Sequence, residues 1–244
     1  MKITVIGYWG AYPEAESATT CYLLEKDGFS CLLDCGSGAL SRLQNYIDIM
    51  EIDAVLISHY HQDHIADIGV LQYSWLVQSY LRDSKQILPI YGHEEDKASF
   101  QKLTHQCTKG IAYDPTKELQ IGPFHINFLK TAHPVPCYAM RVSDGVSTMV
   151  YTADSSYIED FIPFTKDADL LITECSFYEN QDGSVAGGHM NSKDCATIAR
   201  NANVKELWLS HLPHFGDRKE LKIQVEKYYN GKIELAREAL TWEK

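Results

Sequence analysis

Short apolar segments alternate with polar, glycine-containing stretches along the chain, and this alternation predicts a mixture of strands and helices. Residues 3–6 are typical of a buried strand, and the loop at 7–20 is rich in glycine and small polar residues. The pairs Asp27-Gly28 and Asp144-Gly145 favour tight turns between antiparallel strands. Further strands are predicted at 21–24, 31–33, 54–57, 87–91, 121–132, 138–142, 147–152, 169–173, 204–210 and 232–236.

Helices are predicted where apolar residues recur every three or four positions. Leu40, Leu43, Ile47 and Met50 share one such face. A helix near 192–201 has Asn191 or Ser192 as its N-terminal cap. The other helices are predicted at 68–80, 94–106 and 217–229. Hairpin strands followed by helix and strand occur in both halves, so we expect an α/β chain of mixed sheets with helices packed outside, a single domain of residues 1–244 built from two similar halves.

The helix at 68–80 carries more apolar surface than one face requires. Ile68, Leu71, Trp75 and Tyr80 follow a helical spacing, and Val70 widens the apolar surface. Core packing is one interpretation. The alternative is a contact between two copies of the chain, which would form a homodimer.

Composition limits the compartment and the partners. The 244 residues are 45% hydrophobic, and no stretch approaches the ~20 apolar residues of a membrane span. The N-terminus has no signal-peptide pattern, and the seven scattered cysteines have no disulfide or metal spacing, so we expect a cytoplasmic protein with reduced thiols. The net charge of −11 argues against strong non-specific binding of nucleic acid, which requires Lys and Arg.

The segment 58–67, with the sequence SHYHQDHIAD, is the densest group of chemically active residues. It places His59, His61, Asp63 and His64 within six positions, directly after the apolar strand at 54–57. Imidazole nitrogen and carboxylate oxygen are ligands that zinc and its first-row neighbours accept. The segment therefore predicts a metal site at the end of that strand.

Three more candidates follow predicted strands. His133 comes after the strand at 121–132, Asp154 after 147–152 and His211 after 204–210. Active sites of open α/β sheets lie at such strand ends. We therefore expect these side chains to join the metal site.

The pattern HxHxDH, followed by a lone His, a lone Asp and a lone His, resembles the metallo-β-lactamase superfamily. The resemblance implies a four-layer αββα fold with two mixed sheets between helices. It also implies two divalent metal ions, with zinc expected and manganese as the alternative. The implied ligands are His59, His61 and His133 for the first ion, Asp63, His64 and His211 for the second, and Asp154 bridging both. His61 stands where flavodiiron members have Glu, and the Asp63-His64 pair is not kept by class B lactamases, so an antibiotic hydrolase is not expected.

A second motif, Gly188-His189-Met-Asn-Ser, is similar to the extra histidine motif of the ribonuclease Z branch of phosphodiesterases. In that branch the histidine, often hydrogen-bonded to an acid, contacts the scissile phosphate. His189 lies just before a predicted helix, whose N-terminal N–H groups favour phosphate. The resemblance makes His189 a catalytic residue that assists the leaving alkoxide, whereas a loop residue after two glycines is the alternative.

The chain departs from ribonuclease Z between the lone His and the bridging Asp, where that enzyme has an arm that clamps precursor tRNA. Here His133 and Asp154 are separated by room for one hairpin only. With the acidic charge, this argues for a small phosphodiester or an RNA end as substrate, such as a cyclic nucleotide or a cyclic phosphate.

Two divalent metals lower the pKa of bound water to about 7, which provides a metal-bridged hydroxide as nucleophile near neutral pH. Asp63 and Asp154 would orient or deprotonate this water. The predicted reaction is phosphodiester hydrolysis. Hydrolysis of a carboxylic ester, as in lactonases or thioesterases, is the alternative enzyme class, and a non-catalytic metal-holding module is the third.

Overall fold

The computed structural model describes residues 1–183 and 187–244, which divide into two compact units. Unit 1 comprises Met1–Asp114, Ile121–Pro123 and Arg237–Lys244. Unit 2 comprises Pro115–Gln120 and Phe124–Ala236. That they act as a single domain stays a prediction.

The first sheet, which lies in unit 1, is mixed. Its strand order is β14-β1-β2-β3-β4-β5-β6, antiparallel from β14 to β3 and parallel from β3 to β6. Asp27 and Gly28 both have positive φ in the β2–β3 turn, as the predicted Asp-Gly hairpin requires. The strands are β1 Lys2–Gly7, β2 Cys21–Lys26, β3 Phe29–Leu33, β4 Ala54–Leu56, β5 Leu88–Gly92, β6 Thr108–Ala112 and β14 Thr241–Glu243.

The helices of unit 1 cover an apolar core built on the sheet. The longest, α3, buries Ile68, Leu71 and Trp75 against it. The helices are α1 Ala39–Leu43, α2 Gln62–Ile65, α3 Ile68–Leu81 and α4 Lys97–Gln101, with a short 3₁₀ helix at Ile49–Glu51. On its other side, α3 exposes Tyr73 and Tyr80, 65% and 86% accessible. Pairing of two copies through this side stays a prediction.

The second sheet, which carries unit 2, has the order β13-β12-β11-β10-β9-β8-β7. It is parallel from β13 to β10 and antiparallel from β10 to β8. Its strands are β7 Leu119–Ile121, β8 Phe124–Lys130, β9 Tyr138–Ser143, β10 Thr148–Tyr151, β11 Leu170–Glu174, β12 Glu206–Ser210 and β13 Lys232–Leu235. The helices are α5 Phe161–Thr165, α6 Ser192–Asn201 and α7 Arg218–Glu226. Each unit thus contains one mixed sheet of seven strands flanked by helices within the described residues, as expected for the predicted α/β class.

Helix α6 begins as predicted. The side chain of Asn191 accepts hydrogen bonds from the backbone N–H groups of Lys193 and Asp194, and Asp194 accepts one from the N–H of Asn191. This reciprocal capping box fixes the first turn directly after His189.

Several predicted boundaries were wrong. The helix expected through Leu40 and Met50 ends at Leu43, and the chain resumes as the 3₁₀ helix. The strand expected at 121–132 is broken by a turn at Gly122, whose φ is 53°. The predicted helix at 94–106 shortens to α4, and the elements α2, β6, α5 and β14 were not predicted.

The structure tests two of the expectations drawn from composition, those on the cysteines and on membrane spans. All seven cysteines are free thiols, and Cys107 alone among them is not buried. Among the described residues, no helix combines the length and the apolar character that crossing a membrane requires. A cytoplasmic location stays a prediction.

Candidate metal centre

In unit 1, the predicted metal-binding segment follows β4 and turns into α2. His61 is the N-cap of this helix, so that two histidines precede the first turn while Asp63 and His64 lie on it. The ring centroids of His59 and His64 are 4.1 Å apart, and those of His59 and His61 are 4.9 Å apart. Asp63 Oδ2 lies 3.7 Å from His64 Nε2. The structure therefore brings all four predicted residues of this segment into one cluster.

Asp34, at the end of β3, orients two of these imidazoles and is fully buried. Its Oδ2 accepts hydrogen bonds from His64 Nδ1 at 2.7 Å and from the Ser58 hydroxyl at 2.8 Å. Because the Ser58 hydroxyl donates to Asp34, its oxygen is left to accept from His59 Nδ1, 3.0 Å away. These bonds assign the proton to Nδ1 in both rings and leave Nε2 with the lone pair that a metal takes.

Asp63 is held by the loop after β1. Its Oδ2 accepts a hydrogen bond from the backbone N–H of Ala11 at 2.9 Å. The first turn of α2 also packs closely on Gly36, where a Cβ atom would lie 2.0 Å from the carbonyl oxygen of Asp63. This position therefore requires glycine.

Replacing Asp34 by asparagine should weaken metal binding. The asparagine amide is neutral and has one acceptor oxygen where aspartate has two. It therefore binds His64 and Ser58 less strongly, and the tautomers of the His59 and His64 rings are no longer fixed. Loss of such an outer-sphere partner typically costs ~10–100-fold in metal affinity. Metal affinity measured by competition with a chelator checks this.

Asp53→Asn is the matched control for that variant. Asp53 is also an acid of unit 1, and its Oδ2 accepts a backbone hydrogen bond from Ser30 with no histidine involved. Equal metal affinity of Asp34→Asn and Asp53→Asn would rule out the orienting role of Asp34.

In unit 2, the predicted residues His133, Asp154 and His211 form a second cluster. Asp154 is 2% exposed, and its Oδ2 lies 3.4 Å from His211 Nε2 and 3.9 Å from His133 Nε2. His133 Nδ1 donates to the carbonyl oxygen of Gly188 at 3.0 Å, which again leaves the lone pair on Nε2. Gly188 has a φ of 83°, a conformation that favours glycine.

Glu174, at the end of β11, orients two histidines of unit 2, as Asp34 does in unit 1. Its side chain is 1% exposed. Its Oε1 accepts from His189 Nδ1 at 3.0 Å, and its Oε2 accepts from the Ser176 hydroxyl at 2.8 Å. The Ser176 oxygen then accepts from His211 Nδ1 at 2.9 Å. Each unit thus contains one buried carboxylate that binds one histidine directly and a second through a serine.

His189 lies beside the ligand candidates of unit 2. Its ring centroid is 5.3 Å from those of both His133 and His211, and it is stacked on His211. Burial opposes the charged imidazolium, but the hydrogen bond and the negative charge of Glu174 outweigh it, so the pKa of His189 is raised above its ordinary value. Ligand atoms of Glu174, His189 and His211 lie within 4.8 Å of one another.

The donor sets fit divalent metal ions. Imidazole Nε2 atoms and carboxylate oxygens converge in each cluster. The outer nitrogens of four of the histidines are held by carboxylate, hydroxyl or carbonyl groups, as in metal sites: His59, His64, His133 and His211.

The sequence predicted the seven proposed ligands but not the supporting roles of Asp34, Ser58, Glu174 and Ser176. Glu174 also belongs to a third group of possible ligands, with His189 and His211. Glu174 is the only charged residue of the apolar strand β11, but nothing in the sequence connects it to His189 or His211.

The chain is similar to known proteins over its whole length. The sequence model of the beta-lactamase superfamily domain matches residues 30–212. The probable metallo-hydrolase YhfI of Bacillus subtilis is 54% identical over 244 residues, covering 100% of both chains. A ribonuclease Z of Metallosphaera sedula is 26% identical over 286 residues, covering 94% of each.

A solved structure gives the same result for the fold. The crystal structure of the metallo-beta-lactamase fold protein YhfI from Bacillus subtilis aligns with a TM-score of 0.98, at 51% identity in that alignment, covering 100% of this chain and 99% of the other. The predicted metallo-β-lactamase fold is therefore confirmed. Together with the family match and the clusters of metal-ligand side chains, this shows that the chain belongs to the β-lactamase superfamily and is a metallo-hydrolase.

Proposed function

We propose that this hydrolase cleaves phosphodiester bonds with two bound divalent metal ions, which we expect to be zinc. The observation that carries the proposal is the Glu174–His189 pair, placed against His133 and His211 at the start of α6. A histidine fixed by a buried carboxylate beside the ligand candidates is suited to donate a proton to a departing oxygen. The similarity to a ribonuclease Z supports the same reaction class.

In this proposal the clusters of the two units act together. His59, His61 and His133 would hold the first ion, Asp63, His64 and His211 would hold the second, and Asp154 would be a ligand of both. The Nε2 lone pairs assigned above support this use of the histidines. When bound, the ions supply an activated water near neutral pH and positive charge for the phosphoryl oxygens.

The side chains of the chain supply orientation and proton transfer. Asp63, held by the Ala11 N–H, orients or deprotonates the attacking water together with Asp154. His189 gives a proton to the alcohol oxygen as its bond to phosphorus breaks. Glu174 holds one proton of the His189 imidazolium on Nδ1 and raises its pKa, so that the second proton, on Nε2, is the one given to the departing oxygen.

A substrate panel tests the proposed reaction. Purified protein loaded with zinc or manganese is assayed on a model phosphodiester, a lactone and a thioester, each with and without a chelator. The proposal requires chelator-sensitive turnover of the phosphodiester as the fastest reaction. Faster hydrolysis of the lactone or the thioester would assign the chain to the carboxylic-ester enzymes of the superfamily.

We expect weak binding and slow cleavage of precursor tRNA at physiological salt. The connection from His133 to Asp154 consists of a short loop and the β9–β10 hairpin, without a clamping arm. The net charge of −11 also opposes binding of a nucleic-acid backbone. A cleavage assay with purified protein and precursor tRNA checks this expectation. Efficient and accurately placed cleavage would show that another surface replaces the arm.

A further inference from the structure

A cavity of about 440 Å³ lies in unit 2 beside His189. Its volume is within the ~300–1,000 Å³ typical of small-molecule sites. The wall is formed by the loop after Asp154, the loop after β11 and the first turn of α6, which contribute Tyr157, Asp182 and Asp194 among others. The cavity is therefore formed by unit 2 alone.

His189 forms the boundary between this cavity and the ligand candidates. His189 is one of the residues that line the cavity, and its ring centroid lies 5.3 Å from those of His133 and His211. Because Nδ1 is bound to Glu174, Nε2 is the nitrogen that can serve the substrate. The leaving alcohol that receives a proton from His189 would therefore lie next to this cavity.

The charges of the lining decide what this space accepts. Three acids, Glu179, Asp182 and Asp194, line it, and the described lining residues include no lysine or arginine. Lys227 Nζ binds the Glu179 carboxylate at 2.5 Å from outside the lining and compensates that charge. Asp182 and Asp194 add two more acids and further hydrogen-bond acceptors to the lining, while Lys193, outside the lining, favours the charged form of Asp194.

We infer that this cavity binds the leaving alcohol of the substrate, and that it selects an uncharged or cationic alcohol rich in hydroxyl or amino donors over one that carries a further phosphate or carboxylate. This inference rests on the proposed phosphodiesterase activity and deepens it. The substrate class is then a small phosphodiester of a polyol or a nucleoside. An alcohol that continues into an RNA chain is disfavoured, because each further phosphate meets Asp182 and Asp194.

The test uses three methyl nitrophenyl phosphodiesters that differ only in one substituent on the ring of the nitrophenol leaving group. The ring carries an aminomethyl, a hydroxymethyl or a carboxylate substituent, and rates are corrected for the uncatalysed reactivity of each ester. For the zinc-loaded enzyme, kcat/KM for the hydroxymethyl ester should exceed that for the carboxylate ester about tenfold, the size expected for one like charge near a surface. The aminomethyl ester should react at least as fast as the hydroxymethyl ester.

Asp182→Asn should lower that preference about threefold, because one of the acids that repel the carboxylate is removed. Glu226→Gln, which removes an exposed acid of α7 outside the lining, should leave the preference unchanged. Hydrolysis of all three esters at equal rates, or a preference that Asp182→Asn does not alter, would overturn the assignment of the cavity and leave the phosphodiesterase activity in place. No hydrolysis of any ester would overturn the proposed function and this inference with it.

Discussion

Asp154→Ala should abolish both metal binding and hydrolysis. Its carboxylate is buried between His133 and His211 and is the ligand that we propose both ions share. Outer-sphere substitutions alone cost ~10–100-fold, so the loss of a shared ligand should lower kcat/KM by more than ~100-fold. Metal content after dialysis and kcat/KM on a model phosphodiester are the measurements.

The fold of this variant should persist, and this is checked separately. Without metal, Asp154→Ala should unfold near the temperature of the metal-free wild type, because the substitution removes a carboxylate that we assign to the metals and no apolar group of the core. Zinc should raise the unfolding temperature of the wild type only, since a ligand stabilises the state that binds it. Asp160→Ala, at an exposed N-cap whose side chain makes no capping bond, is the control and should keep both properties. A variant at Asp154 that keeps its metal and its activity would contradict the shared-ligand role.

His189→Ala should lower kcat by ~10²–10⁴ on a substrate with a poor leaving group, which is the usual contribution of general acid catalysis. Metal content should not change, because His189 is outside the proposed ligand set. On a nitrophenyl ester the loss should be much smaller, because this leaving group needs little protonation. KM should change less than kcat, since the interaction strengthens as the departing oxygen gains charge.

His125→Ala is the matched control for His189→Ala. His125 is a half-buried histidine of unit 2 that is also hydrogen-bonded to a glutamate, Glu118. Its loss should leave both rates unchanged. An equal loss on both substrates in His189→Ala would make His189 a phosphate-binding group, and no loss on either would remove the basis for the phosphodiesterase assignment.

Local pattern was sufficient to predict most of the sheet strands and the metal-binding segment. Strand β4 is a short apolar run directly followed by the cluster at His59–His64, so both were visible within a few residues of sequence. The start of α6 was equally visible, because Asn191 and Asp194 have the spacing of a capping box. These features depend on neighbours in sequence.

The wrong boundaries arise where burial and helical spacing coincide without a continuous helix. Ile47 and Met50 do pack against the core of unit 1, as their spacing predicted, but they do so from a loop and a 3₁₀ helix. Asp48 accepts the N–H of Met50 and caps that short turn. The strands β6 and β14 were missed because each is at an end of its sheet and contains few apolar residues.

The supporting groups of the metal centre could not be predicted because their contacts join distant positions. Glu174 reaches His189 across fifteen positions, and Ser176 reaches His211 across thirty-five. A single glutamate or serine at a strand end has no local signature. Only the folded chain shows that Asp34 and Glu174 serve their histidines in the same way.

The most direct test of the proposed dinuclear centre is anomalous diffraction from crystals of the protein grown with zinc. We predict two zinc peaks. One should lie within about 2.0–2.2 Å of ligand atoms of His59, His61, His133 and Asp154, and the other within the same range of Asp63, His64, Asp154 and His211. No peak at these residues, or a single peak held by Glu174, His189 and His211, would contradict the proposal.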